Sequence, residues 1–456
     1  MSVALGIYIS VPFCRTKCTF CNFASDVFSR ERFDAYIARI EQDIACAQET
    51  AAAMGGEFQR QVDTIYLGGG TPTVLEPAQL ERIFASVRQH FDVASDAEIT
   101  VECAPGTLIS SGSSGAPAGT GHVAILSPRA PGTSPTGESM LAALVHCGVN
   151  RISLGVQSFV DQESRAVGRL HTRDIILQDI DRLRAAGIEN INLDLIAGLP
   201  HQTRESWQYS LDQTLATGVP HVSVYLLEVD DESRLGRELI AGGTRYHAHF
   251  VPDDDLTAEF YERACETLNA GGVRQYEISN FAREGWESRH NLKYWTREPY
   301  LGFGVDASSM LFAETDPMIL LRAVSDAGFA HKDGGGGSRP FAVTAADVDA
   351  VRFSTSDALE SYVAGTPLTR TFVTRSQAVE EEFFLGLRLT RGVDLRSIAT
   401  RYGEAAVPWG VIDECVGEDL LESAGKELPE RQRFRLTPRG RLLSNEVFER
   451  FIGVVA

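Results

Sequence analysis

Six short runs of β-branched and aliphatic residues, LGIYISV (5–11), VDTIYLG (62–68), EITVEC (98–103), RISLGVQ (151–157), INLDLIA (191–197) and HVSVYLLEV (221–229), alternate with helix-patterned segments. Each run suits a strand, while ERFDAYIARIEQDIACA puts Phe33, Tyr36, Ile37, Ile40 and Ile44 on one helical face. EPAQLERIFASVRQHF, TRDIILQDIDRLRAAG and RESWQYSLDQTL repeat that pattern. Strands separated by helices pair in parallel through right-handed crossovers, which gathers the loops after them at one end of the sheet. Six βα units predict an α/β fold, an open or partial (β/α)6 barrel of TIM type rather than the complete eightfold one.

Two stretches break the pattern. Residues 110–137, SSGSSGAPAGTGHVAILSPRAPGTSPTG, are too poor in apolar side chains to pack and read as a surface insertion; HKDGGGGSRP (331–340) reads as a flexible connector. The expected division is a barrel core over 1–235, a barrel-closing region over 236–330, a Gly-rich linker over 331–345 and a small C-terminal α-helical, winged-helix-like domain over 346–456. There EEFFLGLRL reads as a helix, and RFRLTPRGRLLSNEVFERF as a strand, a turn and a last helix. With 42 Lys and Arg against 62 Asp and Glu, the formal charge of −20 disfavours condensation on nucleic acid or anionic lipid. The start MSVALGIYIS has neither a basic segment nor a cleavage site, and no apolar run is long enough to cross a bilayer. A cytoplasmic protein is expected.

YISVPFCRTKCTFCNFAS (8–25) places Cys14, Cys18 and Cys21 on one loop just after the first strand. Structural zinc usually takes four ligands, whereas three thiolates around a [4Fe-4S] cube leave one iron open to a further ligand. Three core cysteines, or a zinc knuckle closed by a distant fourth ligand, are the competing readings. GGGTPT (68–73) follows the second strand, where glycines let backbone amides approach a polar ligand. Glu102 and Gln157 end the next two strands and Asp194 lies in the fifth, each in an otherwise apolar run. Polar groups at buried strand ends are costly unless paired, and these three converge on one barrel mouth.

The cysteine run resembles the cluster loop of the radical S-adenosylmethionine (SAM) superfamily. In that family SAM chelates the fourth iron and its reductive cleavage gives a 5′-deoxyadenosyl radical. VECAPGT, NRISLGVQSF and NLDLIAGLP are similar to the oxygen-independent coproporphyrinogen III oxidase-like branch. That resemblance implies a [4Fe-4S] cluster on Cys14, Cys18 and Cys21. It also implies SAM contacts from Tyr8, Phe20, Gly69, Gly70, Thr71, Glu102, Gln157, Arg169 and Asp194. Cys103 and Ala104 stand where Ala-Asn is common in the branch's E-x-N-P-G-T turn.

The branch holds oxidases, which decarboxylate porphyrinogen propionates, and heme chaperones of the HemW type. The oxidases add a cysteine two residues after the third, where this chain has Phe23, and have a longer N-terminal extension. SRHNLKYW (288–295) offers His290 as an iron ligand and Tyr294 and Trp295 as flat apolar surface, although such a group can equally be a histidine with two packing aromatics. YEISNFAREGWESRHNLKYW resembles the chaperone group, whose HNxxYW element implicates His290, Asn291, Tyr294 and Trp295 in heme binding. The expectation is therefore a heme chaperone that delivers heme to a respiratory acceptor. Membrane contact would come only through that partner, nucleic acid is not expected as a partner, and homodimerisation stays open. The alternative is an oxygen-independent coproporphyrinogen III oxidase or dehydrogenase. A third reading, a nucleic-acid modifier using Arg431, Arg433, Arg435, Arg439 and Arg441, conflicts with the acidic charge; a solvated turn suits these arginines better. Cys46, Cys147, Cys265 and Cys415 read as small buried hydrophobes, and His171 and His201 as exposed loop residues.

Overall fold

The computed structural model describes residues 3–108, 139–326, 344–424 and 433–454. The insertion at 110–137, the connector at 331–340 and Arg431 lie outside the described residues.

The six expected strands form, in order, β1 (Leu5–Ser10), β2 (Gln61–Gly68), β3 (Asp92–Cys103), β4 (Arg151–Gln157), β5 (Asn190–Ala197) and β6 (His221–Leu226). They pair in parallel and in sequence, with Tyr8 opposite Tyr66, Glu102 opposite Ser153 and Gly155 opposite Asp194. The last run stops at Leu226, three residues short of its expected end. Helices Glu31–Ala45, Pro77–His90, Arg173–Ala185 and Arg204–Thr217 cover the outer face. Phe33, Tyr36, Ile37, Ile40 and Ile44 are all buried, as their spacing predicts.

Six more strands extend this sheet: β7 (Arg274–Gln275), β8 (Asn280–Ala282), β9 (Tyr300–Phe303), β10 (Ser308–Phe312), β11 (Val348–Ser354) and β12 (Thr369–Thr374). The order is β12-β11-β10-β9-β1-β2-β3-β4-β5-β6-β8-β7, twelve strands in an open sheet. Of the additions only β9 runs parallel, along β1; the others add antiparallel at the two edges. The segment between β6 and the connector thus contributes to both edges, and residues 348–374 belong to the main sheet.

A second, smaller apolar core follows. Val379, Phe383, Leu395, Ile398, Ile412, Phe434, Val447 and Phe451 pack together, with the Phe383 and Phe451 rings stacked at 4.8 Å. It is built on an antiparallel sheet of β13 (Val393–Asp394), β15 (Arg433–Leu436) and β14 (Leu421–Ser423). The turn expected after β15 is a short helix, Pro438–Leu442, before the last helix Ser444–Glu449. Its arginines are tied down locally: Arg433 to Asp394, Arg435 to Glu422, and Arg439 to the Glu418 carbonyl. No helix among the described residues is long and apolar enough to cross a membrane.

Candidate cofactor site at the carboxyl end of the sheet

The cysteine loop leaves β1 and is closed at its base by backbone bonds, Cys14 N–H to the Asp26 carbonyl at 3.0 Å and Asp26 N–H to that of Pro12 at 2.9 Å. Its far side is held by Thr19 N–H on the Val167 carbonyl at 3.2 Å and by Leu235 N–H on that of Thr19 at 2.8 Å; Arg234 donates to the Lys17 carbonyl. The thiols therefore sit on a loop fixed by main-chain bonds that do not involve sulfur. Burial pushes the Cys14 and Cys18 thiols up, and the Arg169 and Arg234 charges pull Cys18 back. Bare thiolates are thus disfavoured there, and positive charge from iron is what would stabilise them. Among the described residues no group of three or more His, Cys, Asp or Glu side chains is already arranged around a metal ion. Cluster binding requires the three thiols to turn toward a shared centre.

Beside them runs the GGGT loop. Thr71 N–H donates to the Phe13 carbonyl at 2.8 Å, and its hydroxyl lies 3.7 Å from the Cys14 sulfur. A Cβ on Gly70 would stand 2.5 Å from the Val11 carbonyl oxygen and 3.0 Å from that of Phe13. Gly69 has φ +90°, and a Cβ there would meet the Ser10 and Tyr8 hydroxyls. The glycines are thus required by close backbone approach. Gly70→Ala should force the two loops apart and weaken SAM binding by roughly 5- to 150-fold, the equivalent of an overpacking penalty of 1–3 kcal/mol. Equilibrium dialysis with labelled SAM checks this, and unchanged affinity would remove the loop from the site.

Beneath the loops lie two half-buried carboxylates. Glu102 accepts from the Tyr66 hydroxyl at 2.9 Å. Burial, with Asp194 nearby, pushes Glu102 up to about 7. Asp194 accepts from Ser153 and Asn192, both at 2.8 Å, and burial raises it as well. Two carboxylates strained in this way favour a cationic ligand. Arg169 supplies the opposite charge: it acts on both Cys18 and Glu102, and its buried Nε has no partner. A ligand carrying both an ammonium or sulfonium and a carboxylate, as SAM does, matches this set of donors and acceptors. Gln157 ends β4 with φ +66°, a left-handed backbone rare for a side chain of its size and enriched at functional sites. Tyr8 is half-buried beside Tyr66, and Phe20 packs on Val167, Ile196 and Leu199.

The HNxxYW element lies at the opposite end of the strands from the cysteines but reaches the same interior: the His290 ring stacks 5.3 Å from that of Tyr66, which donates to Glu102. The element forms the helix Arg289–Trp295, at the amino end of β1 to β3. Glu98 accepts the His290 N–H at 3.0 Å, and the imidazole is buried, with Nδ1 2.9 Å from the Thr64 hydroxyl and Nε2 2.8 Å from that of Tyr294. Burial and then the Lys293 charge lower His290 to about 3. Both ring nitrogens are engaged, so iron ligation would have to break one of these bonds. Arg388 covers the Trp295 ring at 4.2 Å, and Asn291 N–H donates to the Ser288 hydroxyl that caps the helix.

Three further residues differ from expectation. His171 is buried, its Nε2 3.0 Å from the Val156 carbonyl, and burial lowers it to about 4. Cys46 is exposed at a helix junction rather than buried, and Cys265 is partly exposed, while Cys147 and Cys415 are buried. Sequence reasoning also missed Tyr66, Ser153, Asn192 and Arg151, which line the sheet interior around Glu102 and Asp194. Their signal is a polar residue at every second strand position, facing inward like the recognised carboxylates.

A profile described as the Radical SAM superfamily matches residues 8–214, and one described as the HemN C-terminal domain matches 373–443. Heme chaperone HemW of Bacillus subtilis is 32% identical over 455 residues, covering 98% of both chains. Heme chaperone HemW of Escherichia coli is 31% identical over 304 residues, 66% of this chain and 69% of that one. The solved coproporphyrinogen III oxidase HemN of Escherichia coli, a radical SAM enzyme, superposes with a TM-score of 0.71 at 21% identity, over 99% of this chain and 91% of that one. That last likeness carries the fold, and the full-length identity to the Bacillus subtilis chaperone carries the kinship: this chain belongs to the radical SAM superfamily, in the branch that unites HemW with HemN.

Proposed function

We propose that this protein is a heme chaperone of the HemW type that holds a [4Fe-4S] cluster on Cys14, Cys18 and Cys21, binds SAM beside it and passes heme to an acceptor protein. The superfamily implies the cluster and SAM. The observation that carries the chaperone reading is the 32% identity to the Bacillus subtilis heme chaperone along 98% of both chains. SAM would contact Tyr8, Phe20, Gly69, Gly70, Thr71, Glu102, Gln157, Arg169 and Asp194. The barrel core over 1–235, the closing region over 236–330 and the C-terminal domain would act together, with residues 348–374 belonging to the main sheet rather than to that domain. Phe23 supports carriage over oxidation: it stands where the oxidases place a further cysteine, and it is 65% exposed beside the cluster loop. Leu170 and Val229, also exposed, flank the same loop, which Asn22 ties to Asp230 at 2.8 Å. Exposed apolar side chains grouped in this way suit a flat apolar cargo.

The oxidase alternative is favoured by the shared fold and is separable by product. Anaerobic incubation with SAM, reductant and coproporphyrinogen III should leave the porphyrinogen unchanged, while hemin titration should show stoichiometric binding. Protoporphyrinogen IX in the product would overturn the chaperone reading. Heme binding at His290, Asn291, Tyr294 and Trp295, the site implied by family resemblance, requires their helix to open.

A further inference from the structure

Arg151 opens β4 and is 1% exposed, yet its Nε has no hydrogen-bond partner and its guanidinium forms no ion pair among the described residues. Ile152, Leu154 and Val156 pack in the main apolar core, so Arg151, like Ser153, faces the barrel interior. Strand registry sets it between Thr100 on β3 and Asn190 on β5. Those neighbours are unsatisfied too: the Thr100 hydroxyl and the Asn190 Oδ1 are buried without partners. Three such groups side by side are rare, because each forgoes its bonds to water and the charge forgoes most. The acids of this interior are committed elsewhere. Asp194 accepts from Ser153 and Asn192, and Glu98 accepts from the Ser288 hydroxyl and the Arg289 and His290 N–H groups.

We propose that Arg151 takes a propionate carboxylate of heme held at the HNxxYW element, with the Thr100 hydroxyl as a second donor. This rests on the heme-carrier reading above. Arg151 and Asn190 begin their strands, at the end of the sheet where the HNxxYW helix lies. Thr100 pairs in register with Tyr66, and the Tyr66 ring stacks on that of His290. On the other side the Tyr276 hydroxyl accepts the Ser288 N–H that starts the helix, at 3.2 Å, and lies 2.9 Å from His221 Nε2. The rings that feel the Arg151 charge, Tyr66, Tyr276, His221 and His290, carry no negative charge to balance it. A carboxylate would: its two oxygens match the forked N–H groups of a guanidinium, and a bond between opposite charges is strong where water is excluded. The opening that frees His290 for heme also gives access to this end of the interior. One cargo molecule would then meet the HNxxYW element with its ring and Arg151 with its acid group.

The test compares hemin with hemin dimethyl ester, whose esterified propionates carry no charge, in Soret-band titrations of the full-length, tag-free protein. The parent should bind hemin more tightly than the ester. Arg151→Met should weaken hemin binding by roughly 10- to 150-fold, as loss of a hydrogen bond to a charged group does, and leave the ester's affinity unchanged. Without porphyrin, Arg151→Met should melt at a higher temperature than the parent, because an apolar side chain of similar length replaces an unpaired buried charge. If the parent binds hemin and its ester equally, or Arg151→Met keeps the parent's affinity for hemin, the propionate assignment is wrong while the carrier reading stands. A lower melting temperature for Arg151→Met would also overturn it, by showing that the guanidinium serves the fold. If the parent binds neither porphyrin, both fall.

Discussion

Cys18→Ala, purified anaerobically, is expected to be folded but nearly free of iron and acid-labile sulfide, and to have lost SAM binding. Cys14, Cys18 and Cys21 are the cluster's only expected protein ligands, so removing one takes away a third of its anchorage. Loss of a mere orienting partner already weakens a metal site by roughly 10- to 100-fold, and loss of a direct ligand should exceed that. The fold should survive because the loop is held by main-chain bonds at Cys14, Thr19, Asp26 and Thr71 rather than through sulfur. Controls come from the same chain. Cys46 is exposed and Cys415 is buried in the C-terminal core, so alanine at either should leave iron content intact, and only Cys415→Ala should lower stability. Iron and sulfide content, with the SAM isotherm, decide the matter. Full cluster content in Cys18→Ala would remove the cysteine loop from the cofactor site.

The parts of this protein legible in its sequence are those whose signal is local. β2 and β4 fall within a residue of the runs VDTIYLG and RISLGVQ, because a buried parallel strand flanked by helices must be apolar and β-branched. Glu102, Gln157 and Asp194 stood out because a polar residue interrupts such a run. The added strands β7 to β12 were not legible: several span only two to five residues, and all but β9 gain their hydrogen bonds by antiparallel edge pairing that no local period announces. Ser153 and Asn192 escaped for a related reason. Each is unremarkable alone, and their role follows only once parallel registry brings both to Asp194. His171 was misread because a loop position suggests exposure, whereas the Val156 carbonyl holds it inside. His290 shows the opposite limit: a motif can be recognised while its burial and hydrogen bonds remain hidden.

Arg297→Ala should be the most destabilising single change away from the cofactors. Its side chain is 0% exposed and reaches Glu381 at 2.7 Å, Asp349 at 3.1 Å, the Tyr402 hydroxyl at 3.1 Å and Glu382 at 3.7 Å. Glu381 and Glu382 lie on the helix Arg375–Gly386, which carries Val379 and Phe383 of the second core, while Asp349 is on β11 of the main sheet. One guanidinium therefore ties the barrel sheet to the C-terminal core. Arg352 and Arg401 complete the network, balancing Asp349, Glu381 and Glu382, but their side chains are 40% and 42% exposed. Deleting the central cation leaves buried carboxylates facing one another, a loss of about 3–5 kcal/mol. Arg297→Lys should recover only part of this, since an ammonium cannot reproduce the forked contacts. Arg433→Ala is the control: its pair with Asp394 is 39% and 35% exposed, and its loss should cost at most about 1 kcal/mol. Thermal melts of the three variants check the order. The instability of Arg297→Ala should ease as pH falls, because burial already holds Glu382 above the usual carboxylate range and protonation removes the uncompensated charge. A melt for Arg297→Ala no lower than that of Arg433→Ala would show that the two cores are joined by apolar packing rather than by this cation.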